Sequence, residues 1–239
     1  MKFYLGTHMV NFVEQVRIPW FVSITRILKR KSIIEGDWML DSGGFTQISQ
    51  HGDYTISEQD YLDVVEYQKP VLAFCQDWMC EPQMLKKTGL TVRDHQDKTL
   101  ESYLSMASFS KKIRPVLQGW DAKDYVNHLR AYKRAGVDIH QLFGVGTVCS
   151  RNGDSEIIRK ILSEIITEEP KLKLHGFGVK SESMAANQDL LWSADSMAWS
   201  VAGRMDKLCS SVCPTKNCAN CLEFALLWRK KNLYLLAKE

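Results

Sequence analysis

The stretch Trp38-Met39-Leu40-Asp41-Ser42-Gly43-Gly44-Phe45-Thr46 decides the reading of the fold. A short apolar run ends in a carboxylate, a hydroxyl and two glycines. A buried parallel strand has this form when it delivers an acid to the rim of a sheet and the chain then turns sharply. Glycines at such a rim permit backbone conformations closed to other residues and let main-chain groups approach a flat ligand. Read alone, Asp-Ser-Gly-Gly is also ordinary turn chemistry. The stretch gains weight because an apolar strand followed by a carboxylate or amide recurs along the chain.

Outward from it, strand and helix patterns alternate. Candidate strands are 3–7, 21–24, 38–41, 71–77, 114–118, 142–145, 174–179 and 194–200. Helical patterns cover 57–68, 92–108, 121–135 and 155–167; the first opens on Ser57 with Asp60 three residues later, and the third stops at Gly136. Strands separated by helices imply right-handed βαβ units and a parallel sheet. A chain of 239 residues accommodates about eight such units, so the expected class is α/β, a compact TIM (β/α)8 barrel. The alternative is an open doubly wound sheet. The barrel is expected over residues 1–205, with a Cys-rich loop and terminal helix over 206–239 packed against it.

Composition narrows the function classes. Hydrophobic residues make up 45% and charged residues 25%, ordinary for a globular protein. No apolar run is long enough to span a bilayer, and the apolar part of Met1–Gly6 is too short for a signal peptide. A cytoplasmic location and no membrane partner are the expectations. The net charge of +3 does not by itself indicate nucleic-acid binding. Local basic clusters at 26–31, 111–114 and 229–231 are more suggestive, although each also suits a solvated helix face.

In a barrel, function gathers at the C-terminal strand ends. Those ends carry Asp41, Ser42, Gly43, Gly44 and Phe45, then Asp77, Gln118 with Gly119, Gly144-Val145-Gly146, Lys180 just after the seventh strand, and Asp195. Three carboxylates, an amide and several glycines would converge on one mouth. Asp77 depends on register, since a slip by one would turn Cys75 or Gln76 inward. Phe45 and Trp120 suit packing as well as stacking, and Lys180 suits an ordinary surface position. His8, His51 and His95 are isolated, and no spacing of histidine to carboxylate supports a triad or a metal.

These residues carry a resemblance. Asp41-Ser42-Gly43-Gly44-Phe45, the Asp-bearing fourth strand, Gln118-Gly119, Gly144-Val145-Gly146 and the late Asp195-Ser196 resemble, in order, the tRNA-guanine transglycosylase superfamily. Thr46 in place of a glutamine after the phenylalanine, and the short chain, look more like the DNA 7-deazaguanine transglycosylases of bacteria and phages. The resemblance implies exchange of guanine in a nucleic acid for a 7-deazaguanine base on a TIM barrel with a structural zinc. Retention at the sugar requires two inversions, through a glycosyl-enzyme formed by a carboxylate. By correspondence Asp195 is the nucleophile and Asp41 the proton shuttle. The shuttle needs a pKa near neutrality, which burial and a neighbouring carboxylate supply. Asp77 would accept from the purine N1–H and 2-amino group. Gln118 and the 144–146 backbone would serve the 6-oxo group and the 7-substituent, and Phe45 would stack on the base. DNA would present its guanine flipped out or unpaired. Arg26, Lys29, Arg30, Arg151 and Lys180 are candidates for a basic rim. tRNA is the alternative substrate, and a non-catalytic nucleic-acid-binding paralogue is the alternative class. Accessory modification proteins and a homodimer are both compatible with the sequence.

Of seven cysteines, Cys209, Cys213, Cys218 and Cys221 crowd together before a helix expected from Leu222. Four thiolates at this density, without a secretion signal, point to one tetrahedral, structural Zn²⁺. The related enzymes use three cysteines and a downstream histidine, yet no histidine follows His175 here. Four cysteines, or three plus another group, would have to form the set; an iron–sulfur cluster is a lesser alternative.

Overall fold

The computed structural model describes residues 1–151, 154–205 and 217–237. Among them, nine strands form one all-parallel sheet that curls into a nearly closed barrel: β1 (Lys2–Thr7), β2 (Trp20–Ser23), β3 (Trp38–Asp41), β4 (Leu72–Phe74), β5 (Ile113–Arg114), β6 (Val116–Leu117), β7 (Leu142–Val145), β8 (Lys173–Gly176) and β9 (Ser193–Ser196). The order β5-β4-β3-β2-β1-β9-β8-β7-β6 runs almost full circle. β5 and β6 are two halves of one stave. Pro115 lacks an N–H and interrupts the ladder between them. Ile113 and Arg114 pair with β4, while Val116 and Leu117 pair with β7. Taken as one, they leave eight staves, and the open doubly wound sheet is set aside.

Around the sheet lie α1 (Asn11–Gln15), α2 (Gly44–His51), α3 (Glu58–Gln68), α4 (Pro82–Thr88), α5 (Val92–Phe109), α6 (Ala122–Arg134), α7 (Ser155–Glu168), α8 (Ser181–Ala186), α9 (Ala198–Met205) and α10 (Leu222–Leu236). The long helices begin where side chains can satisfy their first N–H groups. Ser57 caps α3, Thr91 and Asp94 form a capping box on α5, Asp121 and Asp124 another on α6, and Asp154 caps α7. Gly136, at φ 74°, follows α6 as expected.

Three strand ends differ clearly from the sequence reading, the first being the expected strand 71–77, which stops at Phe74 so that Asp77 lies in the loop after β4. The eighth expected strand stops at Ser196, and Ala198–Met205 turns helical, with Trp199 buried and its Nε1 donating to Gly6 O at 2.7 Å. The apolar run 197–201 suits either period, and packing beneath β1 selects the helix. Similarly β8 ends at Gly176, because Gly178 (φ 60°) turns the chain.

The main core fills the barrel and the layer under the helices, from Phe3 to Ala225, and a smaller cluster of Ile48, Trp78, Met79 and Met84 lies apart from it. α10 belongs to the main core: Leu222, Phe224, Trp228, Leu233 and Leu236 pack against it, and the Trp228 ring lies 6.2 Å from Phe3. Cys209 and Cys213 lie outside the described residues. Cys218 and Cys221 are buried in the turn before α10, and Gly203 lets that turn sit against α9, since a Cβ there would lie 2.5 Å from the Cys218 carbonyl carbon. No helix among the described residues is long and apolar enough to cross a membrane.

Candidate active site

Side chains alternate across a strand, so every second residue enters the barrel. The interior middle layer is aromatic: Phe21, Phe74, His175 and Phe177 are neighbours, with centroids 4.7–6.0 Å apart. Above it, at the C-terminal rim, a pocket of about 320 Å³ opens to solvent, in the size range of small-molecule sites. Asp41, Asp77 and Asp195 all line it, with Phe21 and Phe177 from the aromatic layer.

One wall is built from the strand ends of β3, β4 and β6. Asp77 is buried there as the centre of a network. Ser42 Oγ donates to its Oδ1 at 2.6 Å, and Gln118 Nε2 donates to its Oδ2 at 2.5 Å. The Asp77 N–H donates to the Tyr54 hydroxyl oxygen at 2.9 Å, and that hydroxyl reaches Asp77 O at 3.0 Å. Gln118 is held in turn by Thr147, whose hydroxyl donates to Oε1 at 2.7 Å and accepts from Cys80 N. Thr147 sits at φ 62°, a costly conformation for a residue with a Cβ, and this network keeps it there. Three glycines make room. Gly43 turns at φ 73° to start α2; a Cβ on Gly44 would fall 2.5 Å from Tyr54 Oη, and one on Gly146 only 2.1 Å from Gln118 Nε2.

Asp41 stands beside this wall at the end of β3, its Oδ2 accepting from Gly43 N at 3.1 Å. Burial above all, then the nearby charges of Asp77 and Asp195, push its pKa up from the usual carboxylate range to about 7, against the opposing pull of Gly43 N–H and the Ser23 hydroxyl. Burial also raises Asp77, opposed by the hydrogen bonds of Ser42 and Gln118. Tyr54 stays a phenol, its pKa driven well above the ordinary value by burial and by Asp77.

The opposite wall, from β1, β8 and β9, is sparse. Asp195 Oδ1 accepts from Gly178 N at 3.0 Å and lies 3.3 Å from His175 Nε2. No other hydrogen bond reaches this carboxylate among the described residues. His8 lines the same side, stacked on Trp199 at 5.7 Å, with its Nε2 2.7 Å from Asn220 Oδ1.

The structure therefore brings Asp41, Ser42, Gly43, Gly44, Phe45, Asp77, Gly146 and Asp195 to one pocket. Phe45 is 59% exposed at the mouth, available to a ligand and not packed away. The register at Asp77 is as expected, since Gln76 turns away to Ile56 O and Cys75 faces Thr99. Gln118 stands behind Asp77 and acts through it. Gly119, Gly144, Val145 and Lys180 do not line the pocket. A Cβ at Gly119 would meet Asp124 and Tyr125, one at Gly144 would meet Phe177, Val145 is wholly buried, and Lys180 is an exposed residue preceding α8. Of the basic candidates, Arg26 lines the mouth, whereas Arg30 is paired with Glu14 and Arg151 lies over the Trp120 ring at 3.5 Å.

Sequence reasoning missed Tyr54, Thr147, His8 and His175. Nothing in their local pattern marks them; only the adjacency of β8 to β9 brings His175 to Asp195.

Residues 1–238 of the 239-residue chain match the family model described as DpdA, DeoxyPurine in DNA protein A. The chain belongs to the DpdA family. Membership agrees with the transglycosylase resemblance of the strand ends and ties the chain to modification of purines in DNA. No curated protein matches it significantly.

Proposed function

We propose that this DpdA-family chain is a DNA-guanine transglycosylase that exchanges guanine for a 7-deazaguanine base through a covalent aspartyl-glycosyl intermediate. The observation that carries the reading is the meeting of three carboxylates in one pocket, each in a different environment. Asp77, each oxygen held by one donor and still with lone pairs to spare, suits a fixed acceptor for the N1–H and 2-amino edge of the purine. Asp41, titrating near 7, suits a group that must both give and take a proton at neutral pH. Asp195, across the pocket and lightly bonded, suits attack at a carbon.

In the first half-reaction an Asp195 oxygen bonds to C1′ while the C1′–N9 bond breaks. The bonding pair leaves with guanine, which takes the proton of Asp41. Guanine departs and the 7-deazaguanine enters. Its N9–H proton passes to the Asp41 carboxylate, N9 attacks C1′ from the original face, and the Asp195 ester is released. Two inversions retain the sugar configuration and return both acids to their starting states. Phe45 at the mouth and the Phe21–Phe177 floor would flank the base, and Arg26 would meet the backbone phosphate. The flat purine must leave its stack to reach the pocket.

Cys209, Cys213, Cys218 and Cys221 would hold a structural Zn²⁺. The two described members fit the role. Both are buried, and Cys221 Sγ, capping α10, accepts from Phe224 N at 3.5 Å. A closed set of four sulfurs would staple the segment before α10 and take no part in base exchange.

Incubation with guanine-containing DNA and no incoming base should yield a denaturant-stable protein–DNA adduct. Adding a 7-deazaguanine should release it, and mass analysis of the nucleosides should show the new base. An adduct with tRNA and none with DNA overturns the substrate. Gel-shifted DNA with no adduct and no exchange overturns the catalysis.

A further inference from the structure

His175 is wholly buried inside the barrel, in a cage of Tyr4, Phe21, Phe74 and Phe177. An imidazole has no reason to be there for packing alone; burying its polar nitrogens carries a desolvation cost that partners must offset. Its two nitrogens face two residues of the adjacent strand. β8 pairs with β9 so that His175 lies opposite Ser193, and Asp195 is the next inward residue. Nδ1 is 2.8 Å from Ser193 Oγ, and Nε2 is 3.3 Å from Asp195 Oδ1. Nε2 makes no aligned hydrogen bond in the structure as it stands, so its nearest charged group is the proposed nucleophile.

We infer that Ser193 and His175 form a relay inside the barrel that orients Asp195, making His175 a positioning residue for base exchange. The inference rests on the transglycosylase reading and adds which oxygen attacks. Ser193 Oγ–H donated to Nδ1 leaves the ring hydrogen on Nε2, the nitrogen beside Oδ1. Oδ1 then has one formed donor, Gly178 N–H, and a second beside it, Nε2–H, 3.3 Å away and brought into line by a small turn of the carboxylate. Among the described residues Oδ2 has none, so Oδ2 keeps its lone pairs for C1′. A carboxylate able to swing would spend time with the wrong oxygen forward, and loss of orientation lowers the rate of a unimolecular step without changing how tightly substrate binds. As the ester forms on Oδ2, Oδ1 becomes the carbonyl oxygen and retains both donors.

The test compares three replacements. His175→Gln places an amide N–H near the position of Nε2; His175→Asn can reach only the Ser193 side; His175→Phe keeps the ring and removes both nitrogens. Single-turnover adduct formation on guanine-containing DNA is measured beside DNA affinity and melting temperature. Asn and Phe should slow adduct formation by about 10- to 100-fold, with affinity within a few-fold of wild type, and Gln should recover most of the rate. Equal rates for Gln and Asn, or losses that follow melting temperature alone, overturn the inference. Nitrogen-15 spectra of histidine-labelled protein give a readout independent of turnover. The His175 ring should carry its hydrogen on Nε2 and shift in Asp195→Asn; a hydrogen on Nδ1, or no shift, counts against the relay. If wild-type protein forms no adduct, the transglycosylase reading falls on its own, and the spectra still decide whether His175 orients Asp195.

Discussion

The two walls of the pocket differ in how their carboxylates are held. On the β3–β4–β6 side, the Asp77 carboxylate is tied by Ser42 and Gln118 and its backbone by Tyr54, with Thr147 behind Gln118. On the β1–β8–β9 side, Asp195 has one firm donor, Gly178 N–H, and His175 close by. A group that reads a base must not move, and every lone pair not pointed at the ligand should be satisfied. A group that forms a bond must keep one oxygen bare. On the proposed transglycosylase reading, the contrast assigns recognition to one wall and chemistry to the other, with Asp41, its pKa pushed up to about 7, between them.

The largest effect belongs to the sparse wall. Asp195→Asn should abolish the denaturant-stable adduct while leaving DNA binding within a few-fold, read on denaturing gels and by affinity. A surviving adduct would move the nucleophile elsewhere and break the contrast.

Next comes Asp41→Asn, expected to slow exchange by about 10²- to 10⁴-fold. Wild-type exchange should peak near pH 7. Below it Asp41 cannot take the proton of the incoming base, and above it the acid has no proton for the departing one. Stability follows the same titration. The folded pKa is raised, so protonated Asp41 favours the fold at low pH, and that advantage is lost as pH rises through about 7. Asp41→Asn should therefore melt higher than wild type at pH 8, and the gap should close toward pH 4, as differential scanning fluorimetry can check.

The crowded wall should yield more graded losses. Asp77→Asn presents an NH₂ to the donor edge of guanine and should lower kcat/KM by about 10- to 100-fold, roughly 1–3 kcal/mol. Removing its charge should also move the pH optimum downward, because Asp77 helps to raise Asp41. Gln118→Ala strips a donor from Asp77 and a partner from Thr147, at about 1–3 kcal/mol of stability. Smallest is Tyr54→Phe, about 1 kcal/mol with little change in rate; a large drop in rate would place Tyr54 in the chemistry and blur the division of labour.

Two of the acids were legible in the sequence because strand ends announce them. Asp41 and Asp77 each close an apolar run, and glycines beside Asp41 mark a tight rim, whereas Asp195 was legible through the resemblance and sits near a strand end because β9 stops at Ser196. The helices at 58–68, 92–109, 122–134 and 155–168 were legible through their caps and periodicity. Their supports were not. Tyr54 follows no pattern and acquires its role only when the loop after Gly52 folds over Asp77. Thr147 gives no sign of its φ. His175 reads as a strand residue until β8 is laid beside β9. Pro115 did not betray that its strand is split between two neighbours. Local chemistry shows in spacing, whereas contacts between strands depend on which elements become adjacent, and one sequence read without its partners lacks that information.

Because β1 pairs with β9, and His8 at the mouth is bonded to Asn220 a separation of 212 residues away, the first and last portions of the polypeptide finish the same rim. A nascent chain leaving the ribosome holds Asp41 and Asp77 long before Asp195 or Asn220 exists. The three carboxylates therefore share a pocket only once the barrel has closed, and no short stretch of this sequence contains the whole rim.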